Sequence, residues 1–549
     1  MKCNYFVKAI VAIALVLGIS ACNDDKTKII DGNYTPNDEE AFALIDAAYR
    51  PYQTLSSTFT SLIDTPVDGF TSFLGKEEDD CTKAARINIE YDNLYPRKTF
   101  NALYESIAIV NDALDKINAS DKLSESGKKT AIARAKFLRG LFYSYLVQLW
   151  GEVPISLDNG VGSKTERKSI DEVYTQIVKD LTEAEVDLPA YNASPIIPQK
   201  GAANTLLARV YLAWGNNPLN QEQVAAIASG IQDPAVSYNN ERLEKAVLYA
   251  DKVINSGNYD LLPDFRKNWG LANESKGKEQ IFTIRHEGDA IDKQGNHQAH
   301  CASHSPYDED QVVHIQPAHT YDWWSDDDPR KAFSVLDTIR EKRAGKSDSI
   351  HTFRWPHQLN LNGKGVDHSY ANSEYLTQTR NYVDRIEIRY AEVLITKAEA
   401  LVQLGKDNAT ATELINKIRT RGFDGSTAHN YASVTLQNVQ DEWEYEFQYE
   451  QHRWLNLTRW KNLITTVKTL VPTYTYFDDK FADPENVVTV NGIEHKVGAT
   501  FARYHLHLKG KYENIKGRNY RFPIPQSASF QDLGIRPQNP GYSEPVANK

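Results

Sequence analysis

The carboxylates Glu442, Glu446 and Glu450 lie one helical turn apart, so on a helix they crowd one face and repel unless a cation sits among them. Arg453 falls three residues beyond Glu450 and can pair with it, beside Phe447 and Trp454 on the same face. Two kinds of chemistry fit this spacing. One is a partly buried ion-pair cluster that holds helices together. The other is an acid/base site, since structural networks and catalytic sites perturb carboxylates by the same forces. Retaining hydrolysis of a glycosidic bond needs two carboxyl groups about 5–5.5 Å apart, and no pair in the sequence stands out for that role. No catalytic residue is expected.

Metal chemistry finds candidates without the right spacing. The acidic runs Glu77–Asp80 and Asp326–Asp328 supply the oxygens calcium favours, but neither has the loop spacing or the glycine of an EF-hand. They read as solvated loop faces. His297, His300, His304, His314 and His319 gather near Cys301, yet they match neither a zinc finger nor a His-Glu-x-x-His helix. No metal and no cofactor is expected.

The N-terminus sets the compartment. Lys2 and Lys8 precede an apolar run, Ala9 to Ile19, that ends at Ser20-Ala21-Cys22. The run is shorter than the roughly 20 residues a membrane helix needs and reads as an export signal, residues 1–21. Cys22 resembles the lipobox cysteine of bacterial lipoproteins, which carries acyl chains. The Asn23–Lys26 segment after it is similar to the acidic surface-export signal of Bacteroidetes lipoproteins. Residues 22–37 then form a lipidated tether. The formal charge of the whole chain is −11, and loss of two lysines with the signal makes the mature chain more acidic. Such a chain lacks the basic footprint that nucleic acid requires. It is also repelled by anionic headgroups, so acyl chains must hold it to the membrane. Cys81 and Cys301 are the cysteines left for the body, and the sequence leaves open whether they bridge. Methionine occurs only at position 1, whereas Tyr, Phe and Trp number 30, 19 and 9. The core must therefore be aliphatic and aromatic.

Helical periodicity dominates from about Glu40. Ala135, Leu138, Phe142, Tyr145, Leu146 and Leu149 share a face, and Gly151 and Pro154 stop that helix. Ala203, Leu206, Leu207, Val210 and Trp214 form a second stripe, and Arg242–Asn255 a further helix ended by Gly257. In Arg389–Arg419 two amphipathic helices meet at Gly405, which predicts a tetratricopeptide-like hairpin. Residues 56–100 and 260–380 lack helical period and are rich in Gly, Pro, Asp and aromatics, with short runs such as Gln280–Arg285 reading as strands. The expected fold is mostly α: a tetratricopeptide-like helical repeat scaffold with long irregular loop insertions and a few short strands. Its parts are a helical region at 38–260 and a C-terminal region at 261–549. The latter holds the insertion 261–380 and the hairpin 389–419.

Four segments in order resemble the SusD/RagB family of nutrient-binding outer-membrane lipoproteins. They are Ala135–Tyr143 with Trp150–Pro154, Ala202–Leu212, Arg389–Ala400 with Glu446–Trp460, and Pro523–Pro525 with Gln538–Tyr542. Gln451, Asn456 and Trp443 depart from the pattern, where Gly, Asp and Arg are common. The resemblance implies a non-enzymatic protein on the extracellular face of the outer membrane. It would bind an oligo- or polysaccharide and deliver it to a SusC-like TonB-dependent transporter; peptide uptake of the RagB type is the alternative, and a glycoside hydrolase the third. Sugar rings offer flat apolar faces to Trp and Tyr planes, while amides and carboxylates bond to hydroxyls. On that reading the candidate binding residues are Trp323, Trp324 and Tyr307 in the long insertion. Asp68, Phe70, Tyr91, Asn93 and Tyr95 join them from the first irregular segment.

Overall fold

Helix starts follow local chemistry. Asn93 accepts the Tyr95 amide at 3.1 Å and opens α1 (Leu94–Ala119). Ser124 accepts the Gly127 amide at 2.9 Å and opens α2 (Glu125–Trp150). Ser169 and Glu172 form a reciprocal capping box for α3 (Ile170–Asp187). The chain continues through α4 (Lys200–Gly215), α5 (Asn240–Asn255), α6 (Tyr390–Leu404) and α7 (Asn408–Gly422). Gly151, Gly257 and Gly405, at φ of +78°, +66° and +63°, end α2, α5 and α6 in backbone conformations that favour glycine. The computed structural model describes residues 34–68, 71–73, 80–158, 166–191, 194–270, 277–286, 313–315, 324–336, 338–341, 349–352, 361–364, 384–490, 492–525, 535 and 537–543. The signal, Cys22 and most of the tether lie outside them. No helix among the described residues is long and apolar enough to cross a membrane.

Each of these helices packs on the one before it, and α5 packs on α6 although the long insertion separates them in sequence. The stack is therefore continuous, and the insertion is an excursion from it. α2 is buried nearly all round in its second half, not along a single stripe. Its Gly140 lets α3 approach closely: a Cβ there would lie 2.8 Å from Leu181 Cδ2. Arg139, buried on α2, is held by both oxygens of Asp180 at 2.8 Å and by Asn111 at 2.9 Å.

The insertion leaves and returns through a neck. Strand β1 (Gln280–Ile284) pairs antiparallel with β2 (Arg385–Arg389), Gln280 facing Arg389 and Ile284 facing Arg385. The Gln280–Arg285 run is thus a strand, but every residue of β1 is buried, because scaffold covers both faces. The other described strands form short two-stranded pairs.

Residues 56–100 are more helical than their composition suggested. Helix Leu55–Phe59 runs into a π-helical turn, Thr60–Asp64, followed by helix Asp80–Ala85 and the start of α1. Phe59, Leu62, Ile63 and Val67 are fully buried, and this burial supports helix where no clean period is visible. At the other end of the chain, Trp150 Nε1 donates to Pro523 O at 2.9 Å. Gln538 bonds Ile524 through both amide atoms, and Asn539 Nδ2 donates to Trp150 O and Phe522 O. The Trp150, Pro523 and Gln538 motifs, far apart in sequence, close one seam.

Candidate functional site

Beside the neck the sequence's carboxylate ladder becomes a buried ionic network. α8 (Leu436–Phe447) carries Glu442 and Glu446, both fully buried. Arg330 reaches Glu442 at 2.7 Å, Glu446 at 3.0 Å and Asp328 at 2.8 Å; Arg419 takes the other oxygen of Glu442 at 2.8 Å. Arg389 and Arg421 converge on Glu446, and Arg389 and Lys364 on Glu450. Burial alone would raise the Glu446 carboxyl, but Arg421, Arg389 and Arg330 outweigh it and hold the group at about 2. It stays ionised at neutral pH, which suits an ion-pair cluster and not a general acid.

Two expectations about this region are corrected. Arg453 does not pair with Glu450: it binds Asp68 through Nε at 2.9 Å and Nη2 at 2.6 Å, and Glu444 through Nη1 at 2.8 Å. The reason is a break in the backbone. Tyr449 and Gln451 take φ of +68° and +57°, so α8 ends at Phe447 and α9 (Arg453–Arg459) starts in a new direction. Trp454 consequently leaves Phe447 and stacks on Phe522 at 4.7 Å. Asp328 is also no solvated loop residue. It is 4% exposed, accepts the Arg330 amide at 2.9 Å and caps helix Pro329–Ser334.

The predicted binding residues separate into groups. Trp324 is 2% exposed; its ring lies 5.4 Å from Tyr445 and its Nε1 donates to Gln448 Oε1 at 3.2 Å. It offers no open face for stacking. Asn93 is buried as the α1 cap, with Nδ2 donating to Asp80 O at 3.0 Å. Asp68 is buried against Arg453. Tyr91 and Tyr95 are half-buried, Tyr95 against the core. Trp323, Tyr307 and Phe70 lie outside the described residues, as do Cys301 and all of the histidine group except His314, in strand Val313–Ile315. Cys81 is buried.

Asp68 nevertheless lines a feature to which Trp324 connects through Gln448. A cavity of about 500 Å³ opens between the Asp64–Asp68 turn, α8, the break at 448–452, α9 and α10 (Leu463–Leu470). That volume is within the range of small-molecule sites. Asp68 lines it together with its partner Arg453, and Gln448, oriented by Trp324, lines it too. The Asp64–Asp68 turn is held from behind by α11 (Gly498–Asn514), whose Lys511 donates to Thr65 O and Val67 O. Burial lowers the Lys511 ammonium to about 7, with Asp68 opposing. Burial raises the Glu444 carboxyl to about 7 against the pull of Arg453, with Asp68 adding to the rise. Burial, reinforced by Glu444, raises Asp64 well above the usual carboxylate range. Among the described residues no group of His, Cys, Asp or Glu side chains is placed to hold a metal ion. Asp64, Glu444 and Gln448 escaped the sequence reading because α8 looked like scaffold and Asp64 sits in an apolar run. The one usable signal was Gln451 in place of glycine.

Comparison with known proteins agrees with the architecture. Residues 278–542 match the model of the SusD family, and residues 47–212 match a family described as starch-binding and associating with the outer membrane. SusD-like protein P2 of Formosa agariphila is 26% identical over 474 residues, covering 81% of this chain and 78% of that one. Starch-binding protein SusD of Bacteroides thetaiotaomicron is 26% identical over 395 residues, 62% of this chain and 65% of that one. A crystal structure of a SusD homolog from the same organism superposes with a TM-score of 0.71 at 21% identity, over 95% of this chain and 99% of that one. With its helix stack, seamed C-terminus and two matched regions, the chain belongs to the SusD/RagB family.

Proposed function

We propose that this protein is a lipid-anchored, non-enzymatic component of the outer cell surface. It binds an oligo- or polysaccharide and passes it to a SusC-like TonB-dependent transporter. The observation that carries the reading is the neck. A continuous helix stack is interrupted in sequence between α5 and α6, and β1 and β2 close the base of the excursion. Trp323 and Tyr307 fall within that excursion in the sequence, and long insertions on a rigid scaffold are where binding residues concentrate. The printed name of the Bacteroides thetaiotaomicron relative, a starch-binding protein, supports a carbohydrate as cargo. Acylation of Cys22 accounts for the attachment of an acidic chain to a membrane. The candidate ring-stacking residues are then Trp323, Tyr307, Phe70, Tyr91 and Tyr95. Two or three stacked rings plus hydroxyl contacts give affinities of roughly micromolar to millimolar, weak enough for release.

Calorimetry of the mature chain against panels of oligosaccharides and peptides tests this. Binding of one glycan class, weakened by Trp323→Ala, is expected, along with a barrel partner in pull-downs from native membranes. Peptide binding without glycan binding, or shortened glycan products, would overturn it.

A further inference from the structure

The cavity between the Asp64–Asp68 turn and α8–α10 has an excess of carboxyl groups and two unanswered polar atoms. Asp64, Asp68, Asp441 and Glu444 line it with carboxyl groups, while Arg453 is the guanidinium facing them, and its hydrogen bonds go to Asp68 and Glu444. His452, also on the wall, is kept neutral by burial and by Arg209 and Arg389. Asp64 is 1% exposed and its Oδ2 has no hydrogen-bond partner among the described residues. Gln448 is 5% exposed; Trp324 fixes its amide by donating to Oε1, which leaves Nε2 as the unpartnered end. The Asp64 orphan, protonated while no cation faces it, is answered by a donor able to ionise it, preferably a cation, and the Gln448 orphan by an acceptor. Leaving both unmet in a buried wall costs free energy that an occupant would recover. A metal ion does not answer them, since no ligand set is assembled and a metal gives Gln448 Nε2 nothing to donate to. Thr465, Thr466 and Thr469 on α10 add hydroxyls to the wall, and Trp443 and Phe447 add apolar ring surface.

We propose that this cavity is a binding site for a hydroxylated primary amine, an amino-sugar unit, with the ammonium on Asp64 and Glu444 and a ring hydroxyl on Gln448 Nε2. This site goes beyond the glycan reading above, since Asp64, Glu444 and Gln448 are not among that reading's ring-stacking residues. A neutral sugar satisfies Gln448 but offers Asp64 and Glu444 no cation to draw them into the ionised form. N-acetylation removes the ammonium and adds bulk.

Titration of the mature chain with D-glucosamine, D-glucose and N-acetyl-D-glucosamine decides the matter. Glucosamine should bind with a dissociation constant near or below about 1 mM, and the other two should bind at least roughly tenfold more weakly. Asp64→Asn, or Glu444→Gln if the first variant does not fold, should weaken glucosamine by roughly tenfold and leave binding of the insertion's glycan unchanged. Equal binding of the three sugars, absence of glucosamine binding, or indifference to both substitutions would overturn the assignment. Each of these results is independent of whether any polysaccharide binds elsewhere on the protein.

Discussion

At the scale of single residues, the informative positions are those where burial and charge oppose each other. Glu444 titrates near 7 in the fold against an ordinary value of 4.5, because burial outweighs Arg453. Folding therefore favours its protonated form. That contribution is complete below about pH 4.5 and is lost as pH rises through about 7, on the order of 3 kcal/mol over the window. Glu444→Gln should flatten this part of the profile, so urea midpoints of wild type and variant at pH 5 and pH 8 are expected to converge at the lower pH. Arg453 is the complementary case. Arg453→Ala strands Asp68 and Glu444 together in a buried wall, and breaking such a pair costs about 3–5 kcal/mol; Asp68→Asn keeps one acceptor for Arg453 and should cost less. The same residues show what could be read in advance. That Asp68 matters follows from an acid beside an aromatic-rich segment. That its partner is Arg453, 385 positions away, depends on a left-handed pair at Tyr449 and Gln451 that neither glycine nor proline announces. A glycine would suit position 451, whose φ is +57°, and Gln there hides the break.

At the scale of elements, several helices were legible because stop signals agree with apolar period: Gly151 and Gly405 sit where the boundaries fall, whereas the Ser124 and Ser169 caps show only in the structure. What joins the elements was less legible, since it passes through polar atoms of distant helices. Glu399, fully buried on α6, accepts Trp443 Nε1 at 2.7 Å from α8, Trp460 Nε1 at 2.9 Å, and Arg459 Nη2 at 2.7 Å from the end of α9. Trp443 supplies its donor to Glu399 without carrying a charge. Glu399→Ala should then leave two indoles and a guanidinium without their acceptor. A loss of about 3–5 kcal/mol is expected, while Glu399→Gln, which retains an acceptor for one donor, falls between. Chemical denaturation followed by tryptophan fluorescence reads both the stability and the release of the indoles.

At the scale of the whole molecule, the question is whether the insertion is an appendage or part of the core. The neck alone would allow an appendage, because a closed strand pair can hold a loop without communicating with it. The ionic network argues otherwise. Arg330 and Lys364 belong to the insertion, yet their carboxylate partners Glu442, Glu446 and Glu450 stand on α8 and the break after it. Gly422, at the end of α7, makes room for this clasp: a Cβ there would lie 2.7 Å from Arg330 Cζ. Arg330→Ala leaves Glu446 with Arg389 and Arg421, and Glu442 with Arg419, so the scaffold side survives. Asp328 pairs with Arg330 and has no second cation among the described residues. The loss should therefore fall on residues 324–336. Hydrogen exchange is expected to show protection falling there by an amount equivalent to about 3 kcal/mol, with α6–α8 little changed. Gly422→Ala, which crowds the guanidinium without removing a charge, should shift protection in the same segment. Equal loss across α6–α8 in both variants would mean that Arg330 supports the scaffold core and does not clasp the insertion to it.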